Sequence, residues 1–98
     1  MSLMYDIAII GSGPAGLSAA LNAKIRRKSF VLFGNKDLSS KIQKAKRVNN
    51  YLGFPYIEGK ELAKAFANHI KQQGIEITEE KVNNVYPMGK YFIVMADN

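Results

Sequence analysis

Gly11, Gly13 and Gly16 stand in Gly-x-Gly-x-x-Gly spacing directly behind an apolar run, YDIAII at residues 5–10, with Pro14 inside the spacing. No other feature restricts the fold of this chain so strongly. A short run that is apolar almost throughout has the pattern of a parallel strand covered on both faces. Pro14, with its fixed φ and no N–H, suits the first turn of a helix. The pattern predicts a helix to about Arg26, with Leu17, Ala20, Leu21 and Ile25 as its buried stripe, and SFVLF at residues 29–33 predicts a second strand. Strand, helix and strand within about 30 residues form a βαβ unit, whose crossover is almost invariably right-handed.

The glycines have separable physical tasks in such a unit. Gly11 allows a tight turn, Gly13 lets backbone approach a pyrophosphate with no Cβ in the way, and Gly16 lets helix and strand pack closely. Amides at the helix start, near Ser12 and Ala15, then face negative phosphates with the helix dipole behind them. Ala20 adds another small residue on the sheet-facing side. A glycine-rich turn that merely packs well is the competing reading. The motif's position, after a strand and at the mouth of a helix, favours a dinucleotide. Such sites usually carry a carboxylate at the end of the second strand, but here the chain reads Phe33-Gly34-Asn35.

Residues 34–55 make a long connection without clean periodicity, and connections of that length are more often functional than idle. It closes on NNYLGFP, turn chemistry around an aromatic pair. After Gly59, residues 60–73 read as an amphipathic helix: Leu62, Phe66 and Ile70 recur every four residues, Ala63 and Ala67 widen the stripe, and Gly74 stops it. His69 lies beside that stripe as a boundary or exposed residue. Residues 75–78 suit a third strand. Residues 82–86 and 91–96 flank a Pro87-Met88-Gly89-Lys90 turn as a β-hairpin. The fold class that follows is α/β: a Rossmann-like βαβ parallel sheet with a C-terminal β-hairpin.

Composition excludes several alternatives. Ninety-eight residues bound one small domain, and 47% apolar content with ten aromatics excludes a disordered tail. The chain has no cysteine and one histidine, so thiol chemistry and a Cys/His metal cluster are not available to it. Any redox chemistry must belong to a borrowed cofactor. Residues 1–3, ahead of Met4, read as an expression remnant rather than a signal peptide, and a cytoplasmic location is expected.

The net charge of +6 is uneven, with nine Lys/Arg against Asp6 and Asp37 in residues 1–49 and five against six acids thereafter. Lys24, Arg26, Arg27 and Lys28 crowd one helix end, and Lys41, Lys44, Lys46 and Arg47 occupy the next loop. A solvated surface, with cations at a helix C-terminus, is the simplest account. A docking face for an acidic protein or for phosphate groups is the functional one. No recognised nucleic-acid-binding module accompanies the charge.

Several ordered motifs, GSGPAGLSAA, NNYLGFP followed by an acid and Gly59, ELAKAFANHI, and GIEIT leading into VNNV, together resemble the N-terminal FAD-binding segment of thioredoxin-reductase-like flavoproteins, within the pyridine nucleotide-disulfide oxidoreductase superfamily. The resemblance spans residues 4–98. It implies that Gly11, Ser12, Gly13, Pro14 and Ala15, with Gly16 behind them, hold the FAD pyrophosphate, and that the chain from Gly34 onward borders the adenosine ribose. It places Asn50 beside the flavin and the backbone of Val82 at adenine. With no acid at Gly34, backbone groups of Gly34 and Asn35 are the expected ribose contacts, Asp37 swinging back being the alternative. Where familiar members carry Gly-Gly-Gln against the cofactor, this chain reads Ser39-Ser40-Lys41. That departure sets Lys41 either near the isoalloxazine, where its charge favours the anionic reduced flavin, or in solvent.

The same departures look like the branch of this family that takes electrons from ferredoxin rather than from NAD(P)H, and an acidic donor suits the basic half by electrostatic steering. Complete members add a second dinucleotide-binding domain, usually with the redox cysteine pair that passes electrons to thioredoxin. This cysteine-free chain is therefore expected to be the first part of such an oxidoreductase, inactive alone and holding FAD weakly, because part of the pocket comes from chain it lacks. The strand at residues 5–10 is expected to leave an apolar unpaired edge and to self-associate there. A non-catalytic nucleotide-binding or protein-docking module is the alternative.

Overall fold

The computed structural model describes residues 4–36 and 44–97. Lys41, Asp37 and the Ser39-Ser40 pair lie outside the described residues. Strand β1 (Ile7–Ile10) and strand β2 (Phe30–Phe33) pair in parallel through helix α1 (Pro14–Ile25), with Ile7 opposite Phe30 and Ile10 opposite Phe33. The ladder continues past both strands: Ile7 N donates to Ser29 O at 3.1 Å, and Gly11 N donates to Phe33 O at 2.8 Å. On its other edge β2 meets Thr78, whose N donates to Leu32 O at 2.7 Å while Gly34 N donates to Thr78 O at 3.1 Å. The third strand expected at residues 75–78 is thus one parallel bridge, because Ile75 turns inward to the core instead of running along β2.

Helix α2 (Gly59–Gln72) shares a single core with α1. Ile9 and Leu32, register partners, face Leu17 and Ala20 of α1, Ala63 and Ile70 of α2, and Ile75. Fully burying an aliphatic side chain such as Leu32 contributes roughly 1.5–3 kcal/mol. Ala20 and Ala23 are buried, and their small size brings α1 close to the sheet. The expected α1 stripe is corrected at its end: Ile25 is 63% exposed and Ala23 takes the buried position. The helix stops there because Arg27 adopts φ 58 and Lys28 N donates to Ala23 O, a left-handed ending that usually carries glycine. The second helix ends the same way with Gly74 itself, at φ 69, and Ile75 N donating to Ile70 O. Ala67, expected in the α2 stripe, is exposed.

Both helices lie on the Ile9–Leu32 face. On the opposite face Ala8 is exposed and Ile10 is 55% exposed, so the expectation of a strand covered on both sides does not hold among the described residues. The physical reason is that nothing in the described chain lies across that face. The outer edge of β1 has no strand partner among the described residues. Strand β3 (Val82–Pro87) and strand β4 (Phe92–Ala96) form the expected antiparallel hairpin, with a register shift between Val82 and Asn84. Met88 N donates to Tyr91 O at 2.8 Å, and Gly89 takes φ 88 in the turn. No helix of the described residues is long and apolar enough to cross a membrane.

The start of the ladder is clamped by side chains. Asp6 N donates to Ser29 Oγ at 2.9 Å, while Ser29 N and Ser29 Oγ donate to Asp6 Oδ2 at 3.0 and 3.1 Å. The Ser29 backbone N–H, and then its hydroxyl, hold the Asp6 carboxyl below its usual range, with a smaller contribution from Lys28. A carboxylate depressed on folding stabilises the native state above its unfolded pKa of about 3.9, and that contribution vanishes as pH falls through the folded value. Asp6→Asn is therefore expected to lower the urea midpoint at pH 7, with the gap to wild type closing on acidification below about pH 4. A gap independent of pH would contradict the clamp.

Candidate dinucleotide site

Two of the three glycines in the turn are demanded by the polypeptide itself, and one is not. Gly11 sits at φ 115, a conformation that side chains disfavour. At Gly16 an added Cβ would lie 1.9 Å from the Gly11 carbonyl oxygen and 2.9 Å from its carbon, so α1 can begin against the turn only without a side chain there. Gly13 differs: its φ of −78 and ψ of −175 suit any residue, and a Cβ would meet no atom of the described residues within 4 Å. Among the described residues no contact explains a glycine at this position, which leaves open space beside the turn.

The first hydrogen bond of α1 runs from Leu17 N to Gly13 O at 3.0 Å. Helix geometry therefore leaves the amides of Gly13, Ala15 and Gly16 without an intrahelical acceptor, Pro14 having none to offer. No side chain caps this end, and no acidic residue stands in the first turn to offset the positive pole. Three donors and roughly half a unit of positive charge therefore stand at the end of α1 that Gly13 leaves open. The arrangement fits an anionic, phosphate-like group.

A second wall comes from the end of β2. Ser12, only 6% exposed, donates from Oγ to Asn35 O and accepts from Asn35 N, both at 3.1 Å. Gly34 makes this join possible, since a Cβ there would fall 2.6 Å from Ser12 Cβ and Oγ. The glycine in place of the usual carboxylate thus has a packing cause. Beyond it, Lys36 N donates to Glu79 Oε2 at 3.1 Å and Lys36 Nζ lies 3.8 Å from Glu79 Oε1.

The structure brings Gly11, Ser12, Gly13, Pro14, Ala15, Gly16, Gly34 and Asn35 into one locus. Asn50 is exposed on a turn that Gly53, at φ 94, tightens and that Phe54 N closes on Tyr51 O at 3.0 Å. Tyr51 stacks edge-on against Phe66 of α2 at 5.4 Å, and with Pro14 it borders an apolar cleft of about 310 Å³ between the helices. Exposed His69 lines that cleft, in keeping with a boundary position. Val82 opens β3 opposite Ala96. The Ser12 bridge and Glu79 are absent from the sequence reading. Glu79 gave no signal because 43 positions separate it from Lys36.

The fold and this turn are those of a Rossmann-type dinucleotide-binding segment. Residues 6–46 match the FAD binding domain family. The chain is 34% identical over 88 residues to a thioredoxin reductase of Ureaplasma parvum, covering 90% of this chain and 28% of that protein. A solved ferredoxin-flavin thioredoxin reductase from Clostridium acetobutylicum is 56% identical with a TM-score of 0.91, over 96% of this chain and 33% of that one. The thioredoxin reductase of Lactococcus lactis superposes with a TM-score of 0.85 at 27% identity, over 97% of this chain and 31% of that one. The chain thus spans about a third of the length of these relatives. It corresponds to the N-terminal FAD-binding segment of thioredoxin-reductase-like flavoproteins, and FAD is the cofactor these similarities indicate. The open face at Gly13 and the unclaimed amides fit its pyrophosphate.

Gly16→Ala tests the packing half of this description. The Gly11 carbonyl is backbone and cannot step aside without moving the turn, so the substitution is expected to cost roughly 1–3 kcal/mol in urea unfolding. An unchanged midpoint would show that helix and turn are not in contact.

Proposed function

We propose that this chain supplies the FAD-binding front of an oxidoreductase in which flavin passes electrons to a disulfide, the cysteines and the rest of the pocket belonging to further chain. FAD, when bound, supplies the electron transfer. The protein's own part is binding, orientation and electrostatics. The amides of Gly13, Ala15 and Gly16 hold the pyrophosphate, with Gly11, Ser12 and Pro14 shaping the turn. Backbone of Gly34 and Asn35 borders the ribose, Val82 backbone the adenine, and Asn50 the flavin. Lys41 belongs to this set by resemblance. The observation that carries the proposal is Gly13, whose missing side chain no contact among the described residues requires.

Ferredoxin is the donor that two observations favour over NAD(P)H, with thioredoxin as the acceptor. Over the third of its length that aligns, the C. acetobutylicum relative, a ferredoxin-flavin enzyme, is 56% identical to this chain, against 27% for the L. lactis thioredoxin reductase. The basic residues also concentrate in the half that carries the turn, which suits an acidic donor. A non-catalytic nucleotide or docking module has no observation of its own in its favour.

The test is FAD titration followed by flavin fluorescence, with Gly13→Ala beside wild type. Gly13→Ala is expected to leave the unfolding midpoint unchanged yet weaken FAD at least about tenfold, because the added methyl holds the pyrophosphate off the amides and a hydrogen bond to a charged group is worth about that much. Wild type failing to bind, or Gly13→Ala binding as well as wild type, rejects the reading. Self-association through the free edge of β1 is part of the proposal, and light scattering that finds a monomer at every concentration removes it.

A further inference from the structure

The ribose end of the site lacks the carboxylate that dinucleotide folds of this kind place at the end of the second strand, where it accepts hydrogen bonds from ribose hydroxyls. Gly34 occupies that place and cannot be replaced, because Ser12 fills the space a side chain would need. The tertiary structure nevertheless brings a carboxylate there. The Thr78 bridge lays the third segment along β2, so that Glu79, the next residue, projects to the Lys36 amide one position beyond Asn35. We infer that Glu79 is the ribose-directed acid of this protein, delivered from the third segment instead of from β2. The inference rests on the FAD reading and deepens it at one subsite.

The hydrogen bonding of Glu79 allows this role. A carboxylate offers about four acceptor positions. Oε2 accepts from the Lys36 amide at 3.1 Å, and among the described residues Oε1 has only the looser ammonium of Lys36 at 3.8 Å. The Glu79 side chain is 47% exposed, so acceptor positions on Oε1 remain open to a ligand hydroxyl. The Lys36 amide fixes the carboxylate against β2, and the Lys36 ammonium lies beside it. Glu79 thus binds ligand directly, whereas Lys36 is a positioning residue.

The experiment compares FAD with an FAD analogue whose adenosine lacks the 2′- and 3′-hydroxyls, each titrated into wild type and Glu79→Gln by fluorescence. Glu79→Gln is expected to weaken FAD about tenfold, as for loss of a charge-assisted hydrogen bond, while leaving the analogue's affinity unchanged. Equal weakening of both ligands would reduce Glu79 to a structural pin for the Lys36 turn, and no weakening of FAD would remove it from the site; either overturns the inference. The unliganded unfolding midpoint of Glu79→Gln, expected to match wild type, separates binding from folding. Wild type that binds neither ligand overturns the FAD reading itself, and this inference with it.

Discussion

The structure depends on one close approach, that of the first turn of α1 to the Gly11 carbonyl, which is possible only because Gly16 has no side chain. From that contact the helix axis is aimed, and Leu17, Ala20 and Ala23 are set down on the sheet. The same contact decides where the amides of Gly13, Ala15 and Gly16 point. Packing and ligand chemistry therefore share a cause. Moving the helix outward by the size of a methyl group would loosen the core and withdraw the donors together.

A second layer of interactions ties distant chain to this turn. The buried Ser12 hydroxyl reaches Asn35 across 23 positions, and Thr78 and Glu79 reach the end of β2 from further still. The Ser12 and Thr78 joins use a short side chain or backbone, so they tolerate little displacement. Gly34 shows the consequence: a residue that looks like a missing ribose contact is the condition for the Ser12 bridge. The chain gives up an acid at that position and gains a fixed wall to the site.

The elements with strong local signals were legible before any coordinates. The βαβ unit, the C-terminal hairpin and the stop at Gly74 follow from apolar period, Pro14 and glycine placement, all read within a few residues. The failures were tertiary. Ile25 fits the α1 period but lies exposed, because the left-handed turn at Arg27 ends the helix beside it. The third strand shrank to Thr78 because core burial of Ile75 outweighed further ladder bonds. Ile10 has the sequence of a doubly covered strand, yet its cover is not among the described residues.

By itself the sequence determined the glycine turn, the strand before it and the helix after it, because steric permission at a backbone position is a local property. It also determined that thiol chemistry is absent, since the chain has no cysteine. Only the tertiary structure decided which glycine serves the fold and which leaves space for a ligand, and that a carboxylate from residue 79 stands at the end of β2. Those are questions of which atoms meet across tens of residues, and chain order carries no record of such meetings until packing makes them.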